Sequence, residues 1–168
     1  MLCKALGMKA VVVRASLNEQ QPGSDAEAVE RLYPLSHLNE ALAQADYVVI
    51  AAPRTPHSEG MIGREQLAAM KPSAVLINIS RGALVDEAAL IQALQEGRLA
   101  GAGLDVFVQE PLPESSLLWT MPNVLITPHV SGSNPHYHER ATQLFCDNLA
   151  RYLQGQPLRN LVNAERGY

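Results

Sequence analysis

The chain has 168 residues, enough for one domain with a sizeable core, and its composition (47% hydrophobic, 18% charged, 5% aromatic) is that of a globular protein. A formal charge of -4, with lysine and arginine spread thinly, excludes the concentrated basic patch that nucleic-acid binding needs and favours a small ligand. Cys3 and Cys146 lie far apart with no metal-ligand spacing, no apolar run reaches the roughly 20 residues of a spanning helix, and Lys4 and Lys9 interrupt the one signal-like segment. These features predict a cytoplasmic protein with no disulfide framework, metal site or membrane span.

In chain order, "KAVVV" (9–13) is β-branched and reads as a strand. "SHLNEALAQA" (36–45) predicts a helix with Ser36 as N-cap and Leu38, Ala41 and Leu42 on one face. "DYVVIAAP" (46–53) is a second strand, "REQLAAM" (64–70) a short helix before Pro72, and "SAVLINIS" (73–80) a third strand. "DEAALIQALQEG" (86–97) places Asp86 and Glu87 in a first helical turn, where they favour the helix dipole, and Gly97 just past its end. "GAGLDVF" (101–107) and "NVLITPH" (123–129) are two more strands, and a longer amphipathic helix runs from about 135 to 154, closed by Gly155. Short buried strands alternating with helices predict an α/β fold with a parallel sheet and no internal repeat.

In such a sheet, ligands bind beyond the carboxyl ends of the strands. The polar punctuation falls there: Pro53 to Thr55 after one strand, Asn78, Ile79, Ser80, Arg81 and Gly82 after the next, Asp105 to Glu110 after the third and His129 after the fourth. Taken alone, Arg81 fits either a surface ion pair or a planar fork gripping a carboxylate or carbonyl oxygen, with Gly82 letting that ligand approach the backbone. His129, between Pro128 and Ser131-Gly132, is predicted to face a loop-lined space, and Glu110 is a carboxylate able to bond one imidazole nitrogen. That bond favours imidazolium and suits a general acid at neutral pH. Asp105 either caps a turn or accepts from an amide. "HYH" (136–138) has spacing that puts its histidines on different sides of a helix, against a metal site. Trp119 reads as core or pocket wall, and His37 and His57 as solvated residues.

The long stretches "INISRGALVDEAALIQALQEGRLAGAGLDVFVQEPLP" and "LWTMPNVLITPHVSG" closely resemble the nucleotide-binding domain of the D-isomer-specific 2-hydroxyacid dehydrogenases, as do "AAPRTPHSEGMIG" and the closing "NLARYLQGQPLRNLVNAERGY". The resemblance implies a Rossmann-like doubly wound parallel sheet and hydride transfer between NAD(P) and the C2 carbon of a small 2-keto or 2-hydroxy acid. It implies that Arg81 binds the substrate's carboxylate and carbonyl oxygen, that His129 exchanges the proton, and that Glu110 holds the histidine. It also implies that Asp105 lies on the nicotinamide side, and that Pro53, Thr55, Asn78, Ile79 and Ser80 belong to the cofactor's rim.

Against that pattern the sequence starts at what looks like the end of the first helix and the second strand, so the first strand and its glycine-rich phosphate turn are expected to be missing, with most of the substrate domain. "GAG" at 101–103 does not replace the turn, because position 106 is Val106 and the stretch enters a strand. The whole chain, 1–168, then reads as a partial dinucleotide-binding domain with a C-terminal helix and tail. Loss of a central strand leaves two unpaired sheet edges, an invitation to a strand-donating partner or a homodimer. Arg14, in "VVVRASLNE", stands near the place where many relatives carry an acidic ribose ligand, which tilts the expectation from NAD toward NADP. The alternative reading is a non-catalytic remnant serving as an interaction module.

Overall fold

The computed structural model describes residues 2–15 and 29–163. Six parallel strands fall into two sheets. The smaller pairs β1 (Val11–Arg14) with β2 (Arg31–Pro34); the larger has β3 (Tyr47–Ile50), β4 (Val75–Asn78), β5 (Gly101–Leu104) and β6 (Val124–Ile126) in that order. No ladder joins β1 to β3. β3, β4 and β6 are shorter than their sequence patterns at both ends and β5 at its carboxyl end, where the polar residues already belong to the loops that build the rim, whereas β1 starts two residues later than its pattern and takes in Arg14. β2 escapes the hydrophobic pattern: "RLYP" has only two apolar side chains before its proline, and it is held by register with Val11–Arg14.

The helices are α1 (Leu2–Ala5), α2 (Leu38–Gln44), α3 (Arg64–Ala69), α4 (Glu87–Gln95) and α5 (Tyr137–Leu153). Ser36 is not the N-cap of α2. It sits inside a 3-10 turn, Leu35–His37, where its hydroxyl bonds the His37 ring, and His37 precedes the helix without a side-chain cap. Asp86 is the N-cap of α4, accepting from the Ala89 amide at 3.0 Å. Gly97 ends that helix at φ +66°, a left-handed conformation that costs glycine nothing.

The core lies on the four-stranded sheet. Leu67 of α3 and Ala89, Leu90, Ala93 and Leu94 of α4 close over Ala74, Leu76, Ala102 and Leu104, all buried. Leu76 has no exposure at all, so Leu76→Ala is expected to cost about 2–5 kcal/mol. Trp119, read from sequence as core or pocket wall, is 53% exposed with its indole N–H on the Pro113 carbonyl at 3.0 Å. No helix among the described residues is long and apolar enough to cross a membrane.

Candidate active site

The rim begins at the buried end of β4. The Asn78 side chain donates to the Arg81 carbonyl at 3.0 Å and accepts from the Ser80 amide at 3.1 Å, while the Asn78 backbone carbonyl accepts from the Asp105 backbone amide at 3.0 Å. This closed polar turn swings residues 79–81 out of the sheet. Ser80 is pinned by its hydroxyl on the Ala52 carbonyl, and the Arg81 guanidinium, exposed, folds back on the Ser80 carbonyl at 2.7 Å.

Between β1 and β3 opens a cleft of about 1160 Å³. Val12, Leu38, Ala41, Leu42 and Val48 give it apolar walls, and Arg14, Pro53, Thr55, Ile79, Ser80 and Arg81 all line it. Among the described residues the charged side chains of its lining are arginines, with no carboxylate beside them; Arg54, the third, is neutralised by Glu59 at 2.6 Å. Among the described residues the lining also contains no glycine. Asn78 and Asp105 are buried below this surface, and Glu110 and His129 stand outside the cleft's lining, so the sequence-predicted residues form two groups with Arg81 belonging to the first.

In the second group, His129 Nδ1 lies 2.8 Å from Glu110 Oε2. Glu110 Oε1 accepts from the Phe107 amide at 3.0 Å. Its carboxyl is held below the usual glutamate range by the hydrogen bond from His129 first, then by the Phe107 amide and the positive fields of His129 and Arg81, against an opposing effect of burial. The Arg81 field on this carboxylate links the two groups. With Nδ1 committed to Glu110, Nε2 is the nitrogen left to exchange a proton, and it has no hydrogen-bond partner among the described residues.

His129 adopts φ +54°, an uncommon conformation for a residue with a Cβ. Asp105 holds it there. The Asp105 carbonyl accepts from the His129 amide at 2.8 Å, Oδ1 accepts from the Thr127 hydroxyl at 2.6 Å and the Val130 amide at 2.8 Å, and Oδ2 accepts from the Ser131 amide at 2.9 Å. Burial works to raise its pKa, but these bonds outweigh burial and hold it far below the carboxylate range. Of the two sequence readings of Asp105, the acceptor of amides is the one observed.

Gly82 corrects another expectation. It is buried, and a Cβ there would fall 1.9 Å from the Phe107 carbonyl carbon and 2.4 Å from the Val108 nitrogen. The close approach that needs a glycine is to the loop carrying Glu110, not to a ligand. Sequence reasoning also missed Thr127 and Ser131, although hydroxyl residues two positions either side of His129 were a visible sign of a tightly bonded loop. His136 and His138 take part in no cluster of three or more metal-ligating side chains among the described residues.

A family model described as D-isomer specific 2-hydroxyacid dehydrogenase, NAD binding domain, matches residues 1–131. The chain belongs to this family. Among the dehydrogenase relatives, the glyoxylate/hydroxypyruvate reductase B of Pectobacterium carotovorum is 48% identical over 128 residues, 76% of this chain and 40% of the relative. That of Yersinia pestis (strain Pestoides F) is 46% identical over 141 residues, 83% of this chain and 43% of the relative. The chain thus spans less than half the length of the curated relatives it matches. A 2-hydroxyacid dehydrogenase from Xanthobacter autotrophicus Py2, solved with NADPH and MES, superposes with a TM-score of 0.83 at 32% identity, over 99% of this chain and 80% of that one. An NADPH-dependent glyoxylate/hydroxypyruvate reductase from Sinorhizobium meliloti, solved with NADP and sulfate, gives 0.85 at 30% identity, over 98% and 51%. The Rossmann-like fold expected from the sequence is the fold of this dehydrogenase family.

Proposed function

We propose that the protein acts in the reduction of a small 2-keto acid to the D-2-hydroxy acid with a nicotinamide dinucleotide, NADPH in preference to NADH. The observation that carries this reading is the Glu110–His129 pair at 2.8 Å with the Arg81 guanidinium close enough to act on the same carboxylate. A non-catalytic interaction module has no need of a histidine held at φ +54° by four hydrogen bonds to Asp105, and the enzyme reading is preferred on that ground.

The residues present fit two parts of a dinucleotide. Arg14 suits a 2'-phosphate at one end of the cleft, and Pro53, Thr55, Ile79 and Ser80 line its course toward Arg81. Among the described residues the lining offers no glycine-built cradle for the pyrophosphate. When bound, the nicotinamide supplies the hydride; the chain supplies the rest. Arg81 binds the substrate carboxylate and carbonyl oxygen and stabilises negative charge developing on that oxygen. His129 Nε2 gives the proton to it, and Glu110 keeps the imidazolium oriented. Asp105 serves this site by shaping the histidine loop from below. The names of these relatives make glyoxylate and hydroxypyruvate the first substrates to try. We place the protein in the cytoplasm, where both of its exposed cysteines remain thiols.

The test is calorimetric titration of the 168-residue chain with NADPH and NADH in parallel, followed by glyoxylate and hydroxypyruvate reduction. Saturable binding with turnover that Arg81→Ala and His129→Ala both abolish supports the reading. Turnover retained in both variants would sink the site assignment.

A further inference from the structure

We propose that Glu87 is a positioning residue for the Glu110–His129 pair, holding the loop that carries Glu110 by accepting the Val108 backbone amide. The inference deepens the functional reading above and rests on it for its meaning in turnover.

Residues 108–110 get little from burial. Val108 is 61% exposed, and Gln109 and Glu110 are exposed as well; Phe107, just before them, is the last buried residue of the segment. The loop must therefore be set by directional bonds. Among the described residues two side chains outside the loop bond it: His129, through the Glu110 carboxylate, and Glu87, whose Oε2 accepts from the Val108 amide at 3.2 Å. No backbone–backbone hydrogen bond ties residues 108–110 to another element among those residues. Glu87 is free for this task because Asp86 already caps α4, satisfying the Ala89 amide, so the next side chain can turn away from its own helix. Gly82, five residues earlier, makes the contact possible: the bare α-carbon lets the Phe107–Val108 peptide settle against the turn from which α4 starts. Phe107 and Val108 carry adjacent amides with different acceptors, Glu110 for one and Glu87 for the other. Fixing the second restrains the peptide unit next to the one that presents the first, across the Phe107 α-carbon. Glu110 thereby receives a defined bond on Oε1, and its Oε2 is left aimed at His129.

A plain helix-start carboxylate would explain Glu87 by its charge alone. Glutamine separates the two roles, since Glu87→Gln loses the charge but keeps a carbonyl acceptor, whereas Glu87→Ala loses both. The groups acting on Glu110 are His129, the Phe107 amide and Arg81, and Glu87 is the charged side chain bonded to the same loop. Removing the Glu87 charge lowers the Glu110 pKa slightly and equally in both variants; losing the loop's anchor raises it in alanine alone. The experiment is a carbon-13 NMR titration of the Glu110 carboxyl in wild type, Glu87→Gln and Glu87→Ala, with amide exchange at Val108, on chains confirmed folded by their amide spectra. The proposal expects a midpoint higher by about half a unit or more in Glu87→Ala than in Glu87→Gln, with faster Val108 exchange in alanine and rescue by glutamine. Equal midpoints in the two variants, or unchanged Val108 exchange, would overturn it. The readout needs no cofactor, so a chain without turnover defeats the functional reading while leaving this result intact. Where turnover is measurable, Glu87→Ala lowers kcat with KM little changed.

Discussion

Gly82 and Phe107 meet backbone to backbone: a Cβ on the first would lie 1.9 Å from the carbonyl carbon of the second. The obstacle is main chain rather than a flexible side chain, so Gly82→Ala must separate the Arg81 turn from the Glu110 loop. It is expected to cost about 3 kcal/mol, the upper end of ordinary overpacking, and to lengthen the reach between Arg81 and the Glu110–His129 pair. Denaturant midpoints measure the first effect and the Glu110 titration the second. A stable variant with wild-type titration would show that the loop yields without consequence.

Asp105 makes stability depend on acid. Its folded pKa lies below the unfolded value, so its contribution is present above the ordinary aspartate pKa of about 3.9 and is lost as pH falls toward the folded value. At pH 7, Asp105→Ala leaves the Val130 and Ser131 amides without their acceptor and is expected to cost about 3 kcal/mol. The gap in urea midpoint between wild type and Asp105→Asn should narrow from pH 7 to pH 3 as the acid begins to remove what the charge gave. A constant gap would remove Asp105 as the source.

Arg81 and His129 are expected to separate activity from stability. The Arg81 guanidinium is exposed and bonds only its neighbour's carbonyl among the described residues, so Arg81→Ala should leave the denaturant midpoint nearly unchanged. The same change should lower kcat/KM for glyoxylate by about 10²–10³. His129→Ala should lower it by about 10²–10⁴. A parallel fall in stability would point to a structural role instead.

Arg14 is exposed where β1 ends on the cleft, and among the described residues no carboxylate shares the lining. Arg14→Glu is expected to weaken NADPH by about tenfold, the worth of one charge-assisted contact, while leaving NADH little affected. Calorimetry of both cofactors decides; equal losses would assign Arg14 no part in discrimination.

Much of this architecture was legible in the residues. Strands β1 and β3–β6 carry runs such as "VVV", "YVVI" and "VLIN", and the helix starting at Glu87 is preceded by a capping aspartate. The Glu110–His129 contact was legible too, since both residues follow successive strands onto one rim. Three things were not. β2 is too short and polar to show a period, Ser36 was outcompeted as a cap by a 3-10 turn, and the role of Gly82 depends on a neighbour 25 positions away that no local pattern reveals. The split of the predicted residues into a cleft group and a His129 group is likewise a fact of packing, because equivalent strand ends need not open into one cavity.

The division into two sheets also bears on how the molecule comes apart. Among the described residues β1 and β2 form sheet ladders only with each other and touch the remainder chiefly through α2, whereas β3–β6 are laced together and roofed by α3 and α4. Cooperativity between the two parts is carried by side-chain contact alone, so the small sheet should behave as a separate, weaker unfolding unit. Its amides should open in mild denaturant while those of Leu76 and Leu104 still report the global transition. Arg14 rides on the part that yields first, and the chain would then lose its hold on one end of a dinucleotide before Glu110 and His129 lose each other.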